Sequence, residues 1–117
     1  ITGWQTPAQV QDWIARARAL VFPSLWYEGQ PLVPLEALSR GVPVVAGAWT
    51  AASEAFVPGV SGVLIESPTH SALVSALASV QSLDAFDGSR IAETVSPERH
   101  LDNLISVYTA IRSARIR

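Results

Sequence analysis

Residues 22–47 read FPSLWYEGQPLVPLEALSRGVPVVAG, and the order of the pieces in that stretch sets the fold class. It is entered through Ala19-Leu20-Val21-Phe22, a short continuous apolar run stopped by Pro23-Ser24. That length and that stop predict a strand covered on both faces. A loop from Leu25 to Gln30 follows, and then Pro31 to Gly41, whose Leu-Glu-Ala-Leu centre is strong helix-forming material. Gly41 falls where a left-handed helix cap belongs. Val42-Pro43-Val44-Val45-Ala46 is a second buried strand, with its proline near the entry where the missing N–H costs least. Strand, helix and strand in that order form a crossover unit, which makes the two strands parallel.

The flanks continue the alternation. Upstream, Thr6 is placed to cap a helix with Pro7 at its first position, and Val10, Trp13, Ile14 and Ala17 follow at helical spacing. Trp13 is expected in the core. Downstream, Gly59 to Gly62 is a turn and Val63-Leu64-Ile65 a third strand. Thr69 caps a helix carrying Leu73, Ala76, Leu77 and Val80. Residues 84–90 are a polar loop, and a short helix is expected around Arg90 to Thr94. Ser96-Pro97-Glu98 opens a last helix with Leu101, Leu104, Ile105, Tyr108 and Ile111 on one stripe. The expected fold is therefore α/β: a partial Rossmann-like domain, a parallel sheet of about three strands flanked by helices. A doubly wound domain normally has five or six strands, so residues 1–117 read as a single partial domain. The absence of any Met and the opening Ile1 likewise lead us to expect a piece of a longer polypeptide.

Composition narrows the function. With 117 residues, 49% apolar, 15% charged and a mean hydropathy of +0.27, the chain lies far from the disordered corner. Eight Arg, no Lys and a net charge of −2 set it against a nucleic-acid partner. Arg in place of every Lys, with much Ala, Val and Gly, suits a GC-rich genome. No Cys is present, which excludes disulfides, thiol catalysis and Cys-ligated zinc. His70 and His100 each lack a second ligand at metal spacing, so no metal is expected. No apolar run approaches bilayer length and no secretory signal opens the chain, which points to a cytoplasmic location.

Two carboxylates mark the chemistry. Glu28 lies just after a parallel strand, and Glu36 lies eight positions on, inside the next helix. In open α/β sheets ligands sit beyond the carboxyl ends of the strands. The helix that starts there offers N–H groups and a positive dipole end to a phosphate. A carboxylate further along can still take neutral hydroxyls, as acidic side chains do on ribose. Each Glu also has a plainer reading, as a solvated loop or helix carboxylate, and Glu54 as a dipole partner of a helix start.

The segment resembles the signature of retaining glycosyltransferases of the group 1 type (family four), which have the GT-B fold. Pro23-Ser24, Glu28, Glu36, Gly41, Pro43, Val44 and Val45 stand in that family's order and spacing. Ile1-Thr2-Gly3 resembles the end of its preceding strand, and Glu54, Gly59 and Gly62-Val63-Leu64 its later Glu, turn and strand. Ser96 to Ile111, with Tyr108, resembles its terminal helix. The resemblance implies a C-terminal, donor-binding part of an enzyme that transfers a sugar from a nucleotide diphosphate to an acceptor with retention. Glu28 would then lie beside the donor sugar as the catalytic carboxylate, and Glu36 would hold the ribose hydroxyls. The backbone at Gly29, Gln30, Pro31, Leu32 and Val33 would face the diphosphate and sugar. No cofactor or metal is implied; the nucleotide sugar is a substrate.

The match departs from the family in one place. Gly29-Gln30-Pro31 replaces the commoner Gly-Phe-Gly, and Pro31 removes one N–H while suiting a helix start. The family's phosphate-clamping Arg and Lys, its first two strands and its acceptor domain would precede Ile1, so this stretch alone is expected to be inactive. A non-catalytic α/β nucleotide- or sugar-binding module, or an interaction piece that keeps the fold without the site, remain the alternatives. Trp26 and Trp49 fall on loops after strands, where an aromatic either packs or meets a ligand, and Trp4 lies near the start. Arg112, Arg115 and Arg117 favour the end of the last helix, with peripheral contact to the inner membrane face as the outside reading. By analogy with the family's strand order, the Leu20 strand has an open, long, apolar edge, expected to be covered by self-association with another copy of the chain or by residues outside this stretch.

Overall fold

Thr6 starts the first helix by satisfying two backbone donors at once. Its Oγ1 accepts from the Gln9 N–H at 3.3 Å, and the Gln9 Oε1 accepts from the Thr6 N–H at 2.9 Å. Helix α1 (Pro7–Arg16) runs from that cap to Ala17, where the chain becomes extended. The computed structural model describes residues 1–114. After α1 come β1 (Leu20–Phe22), α2 (Leu32–Leu38), β2 (Val44–Gly47) and a 3₁₀ turn at Ala51–Ala55. Then follow β3 (Gly62–Ile65), α3 (His70–Ser79), a 3₁₀ turn at Val80–Ser82, α4 (Ser89–Thr94) and α5 (Pro97–Ala114).

The three strands form one parallel sheet in the order β1-β2-β3. Leu20, Val21 and Phe22 face Val44, Val45 and Ala46, and Val44 to Gly47 face Gly62 to Ile65. The expected α/β class with a three-stranded parallel sheet flanked by helices is what the chain adopts. The central strand, β2, is buried at every residue. Its alternation sends Val44 and Ala46 into a cluster with Ile14, Ala37, Leu38, Val42, Ala52 and Phe56. Val45 points the other way, into a cluster with Ile65, Ala76 and Val80. Each fully buried Val, Leu or Ile there contributes roughly 1.5–3 kcal/mol.

Helix α2 ends through Gly41, whose φ of +71° only glycine adopts without strain. Val42 N–H then reaches back to Ala37 O at 3.0 Å. The loop before α4 closes on the same place. Gly88 is buried, and a Cβ there would run into Leu38 O, with Gly41 N at 2.6 Å and Ser39 C at 2.7 Å.

Four sequence expectations are corrected by this packing. Strand β1 is only half-buried, with Val21 exposed, and at three residues it is short rather than long, because nothing lies on its outer edge among the described residues. Trp13 is 53% exposed rather than core; Ile14 is the side chain of α1 that turns inward, and the Arg16 guanidinium stacks 5.1 Å from the Trp13 ring. Ile1 to Gly3 lie in no strand. The stripe on α5 has helical spacing, yet Leu101, Leu104, Ile105, Tyr108 and Ile111 are all exposed, since α5 meets α4 and buries none of its residues. Arg112 lies in the last turn of α5; Arg115 and Arg117 lie outside the described residues. No helix among the described residues is long and apolar enough to cross a membrane.

Candidate functional site

The carboxyl ends of β1 and β2 define a rim, and residues 23–31 cross it without regular structure. Pairing ends at Phe22 opposite Ala46, and Pro23, which has no N–H, keeps the chain from extending the ladder. The loop is instead held by side chains. Ser24 Oγ donates to Glu28 Oε1 at 2.9 Å and accepts from the Trp26 N–H at 3.3 Å. Trp49, leaving β2, donates its indole N–H to Ser24 O at 3.1 Å. The Trp49 ring lies against Gly47, where any Cβ would intrude on it.

Glu28 is half-buried, and Gly29, Gln30, Leu32 and Val33 are exposed. Helix α2 begins at Leu32 behind Pro31, an extended residue whose side chain makes no capping bond. Among the described residues, the N–H groups of Gly29, Gln30, Leu32 and Val33 have no protein acceptor. Four backbone donors on exposed residues thus lack an acceptor in the stretch that follows Glu28, and no acidic side chain in the first turn of α2 competes for them. Pro31 supplies no donor, and Pro34 is buried within the first turn.

Glu36 lies one turn behind Leu32, half-buried, and its Oε2 accepts from Gln11 Nε2 of α1 at 2.8 Å. The Oε1 of Gln11 is buried without a partner. Arg40 and Ser39 donate to the Glu36 carbonyl, not to its carboxylate, at 2.9 and 3.0 Å. Glu36 lines a crevice of about 180 Å³ with Leu32, Leu35, Ser39 and Val95. Gly29 and Gln30 line another, of about 290 Å³, with Ala51, Ala55 and the exposed Glu54. Glu28 lines neither of these two crevices; the short run from Glu28 to α2 leads to Leu32, which lines the Glu36 crevice.

The other candidates separate by exposure. Trp26 is 81% exposed at the rim, whereas Trp49 is half-buried and hydrogen-bonded. Trp4 is exposed before α1. His70 lines a third crevice, of about 190 Å³, with Pro23, Leu25, Trp49, Pro68 and Leu73. Among the described residues no group of three metal-ligating side chains is found. Two contacts went unnoticed in the sequence. Ser24 figured in the sequence as a strand stop and as part of the Pro23-Ser24 signature, but its contact with Glu28 lies in a loop, where spacing carries no signal. Gln11 had no signal, because its contact with Glu36 spans 25 positions.

A family model described as Glycosyl transferases group 1 matches residues 1–82, which take in α1, all three strands and α3. The chain belongs to the group 1 glycosyl transferases. Within this family the chain is 39% identical over 82 residues to a D-inositol 3-phosphate glycosyltransferase of Geodermatophilus obscurus. That stretch is 68% of this chain, and it spans 18% of the relative's length. The matched part of this group 1 glycosyl transferase chain holds Ser24, Glu28, Glu36 and the exposed amides; α4 and α5 fall beyond it.

Proposed function

We propose that residues 1–117 are the donor-binding part of a retaining glycosyltransferase with the GT-B fold, acting on a nucleotide-diphosphate sugar. The observation that carries the reading is the set of four N–H groups without an acceptor, on the exposed residues Gly29, Gln30, Leu32 and Val33 that follow the half-buried Glu28. Backbone donors at a helix start suit a diphosphate, whose charge they stabilise as it departs. Membership in a sugar-transferring family supports the same assignment.

In this reading the diphosphate rests against those amides, Glu36 accepts from the ribose hydroxyls, and Glu28 lies beside the donor sugar. The bond from the anomeric carbon to the diphosphate oxygen breaks, and the diphosphate takes the electron pair. The acceptor hydroxyl forms the new bond on the retained face, and its proton passes to the diphosphate. No metal or cofactor enters the proposal. The acceptor domain and the basic side chains that clamp the phosphates belong, in this proposal, to other parts of the protein. The proposed setting is the cytoplasm, at the inner membrane face where the acceptor is a lipid.

The test is a titration of the isotope-labelled full-length protein with uridine, guanosine and adenosine diphosphates, followed by amide NMR. One of the three is expected to shift the Gly29, Gln30, Leu32 and Val33 amides together. If a diphosphate binds and those four amides stay in place, the donor site lies elsewhere.

A further inference from the structure

We propose that Ser24 is a positioning residue for the Glu28 carboxylate, fixing Oε1 so that Oε2 is presented to the donor sugar; the proposal rests on the reading of Glu28 above. A single hydroxyl has one proton to give and lone pairs to accept with. The Trp26 N–H can only donate to Ser24 Oγ, at 3.3 Å, so the proton of that hydroxyl is directed at Glu28 Oε1, at 2.9 Å. Among the described residues, Oε2 of Glu28 has no protein partner.

A serine after a strand often turns the chain by accepting an N–H two residues on. That role would be complete with the Trp26 contact alone. The second contact, four residues along, goes to the acid that the site uses. It also goes to a carboxylate with no regular element of its own, since residues 23–31 belong to neither helix nor strand. Without the Ser24 hydroxyl, no hydrogen bond to the Glu28 carboxylate remains among the described residues.

Ser24 is in turn held from behind. Its carbonyl takes the Trp49 indole N–H at 3.1 Å, and the indole is seated on Gly47 at the end of β2. The carboxylate is thus referenced, through Ser24 and Trp49, to the buried central strand. A carboxylate that must meet a reacting carbon loses rate quickly when its placement loosens.

The experiment compares Ser24→Ala, Ser24→Thr, Glu28→Gln and the Ser24→Ala/Glu28→Gln double variant in the full-length protein. Turnover is read as nucleoside diphosphate released from UDP-glucose, UDP-N-acetylglucosamine, GDP-mannose and ADP-glucose, with water as the acceptor of the sugar. Ser24→Ala is expected to lower kcat about tenfold with the donor KM within twofold, and Ser24→Thr, which keeps the hydroxyl, to restore most of it. The double variant is expected to be no slower than Glu28→Gln, because a residue that acts only through Glu28 has nothing left to act on. A Ser24→Ala enzyme as fast as wild type, one altered only in KM, or losses that multiply in the double variant overturn the proposal.

Should none of the four sugars be turned over by the wild type, the function proposed above fails. Ser24 is then judged on crystal structures and amide exchange. In Ser24→Ala the Glu28 carboxylate is expected to leave its present rotamer and the Trp26 amide to exchange faster, both reversed in Ser24→Thr. An unmoved carboxylate with unchanged exchange refutes the positioning role.

Discussion

Replacing Glu36 by alanine separates what that carboxylate does for the fold from what it does for the ligand. In the folded chain it accepts one bond, from Gln11 Nε2 at 2.8 Å, in a half-buried setting. A hydrogen bond to a charged group is worth roughly 1.5–3 kcal/mol when well buried, and partial exposure brings this one to about 1 kcal/mol. The truncation also leaves the Gln11 amide unpaired at both ends, because its Oε1 is already buried without a partner. Gln11→Ala removes the bond and that orphan together, so it should cost less stability than Glu36→Ala. Ligand binding should order the variants differently. If Glu36 accepts from the ribose hydroxyls, Glu36→Ala should weaken the responding nucleoside diphosphate by roughly 10- to 100-fold in Kd. Gln11→Ala, which releases Oε2, should leave that Kd unchanged or lower it. Isothermal titration calorimetry of the full-length variants, alongside urea unfolding, measures both columns. An unchanged Kd in Glu36→Ala, or an equal loss in Gln11→Ala, would refute the assignment of Glu36.

Leu38, fully buried between α2 and the sheet, should cost about 2–4 kcal/mol when cut to alanine, read as a lowered urea midpoint at constant m value. The hydroxyl and N–H of Ser89 bond the Asp87 carboxylate and hold it below the ordinary value of 3.8. A depressed carboxylate stabilises above its unfolded pKa and loses that contribution as pH falls through the folded one, so Ser89→Ala should flatten the acid limb of unfolding below about pH 4. An identical limb in that variant would mean the contact is not held in solution. Strand β1 leaves one edge unpaired, and Val21 is exposed on it. Sedimentation of residues 1–117 should show concentration-dependent association that Val21→Lys reduces. A wild-type chain that stays monomeric across that range would show the edge to be harmless.

The elements that were legible in the sequence are those set by neighbours. Thr6 with Pro7, Thr69, Gly41 and the Pro23 stop each carry local chemistry, and all mark real boundaries. What failed depended on partners. Trp13 and the α5 stripe have correct helical spacing, but periodicity says which side is apolar, not whether anything covers it. The same division runs through the site. Glu28, Glu36 and the helix start could be located from order and spacing alone. That Ser24 grips Glu28 and that Gln11 occupies Glu36 are facts of distance across a folded loop and between two helices.

The contact of Gly88 with the rear of α2 has a mechanical meaning. A methyl group at Gly88 would meet the backbone of Leu38, Ser39 and Gly41, so either the loop before α4 or the end of α2 would have to give way. Backbone thus lies directly on backbone behind the crossover, and only a residue without a side chain lets the two segments close.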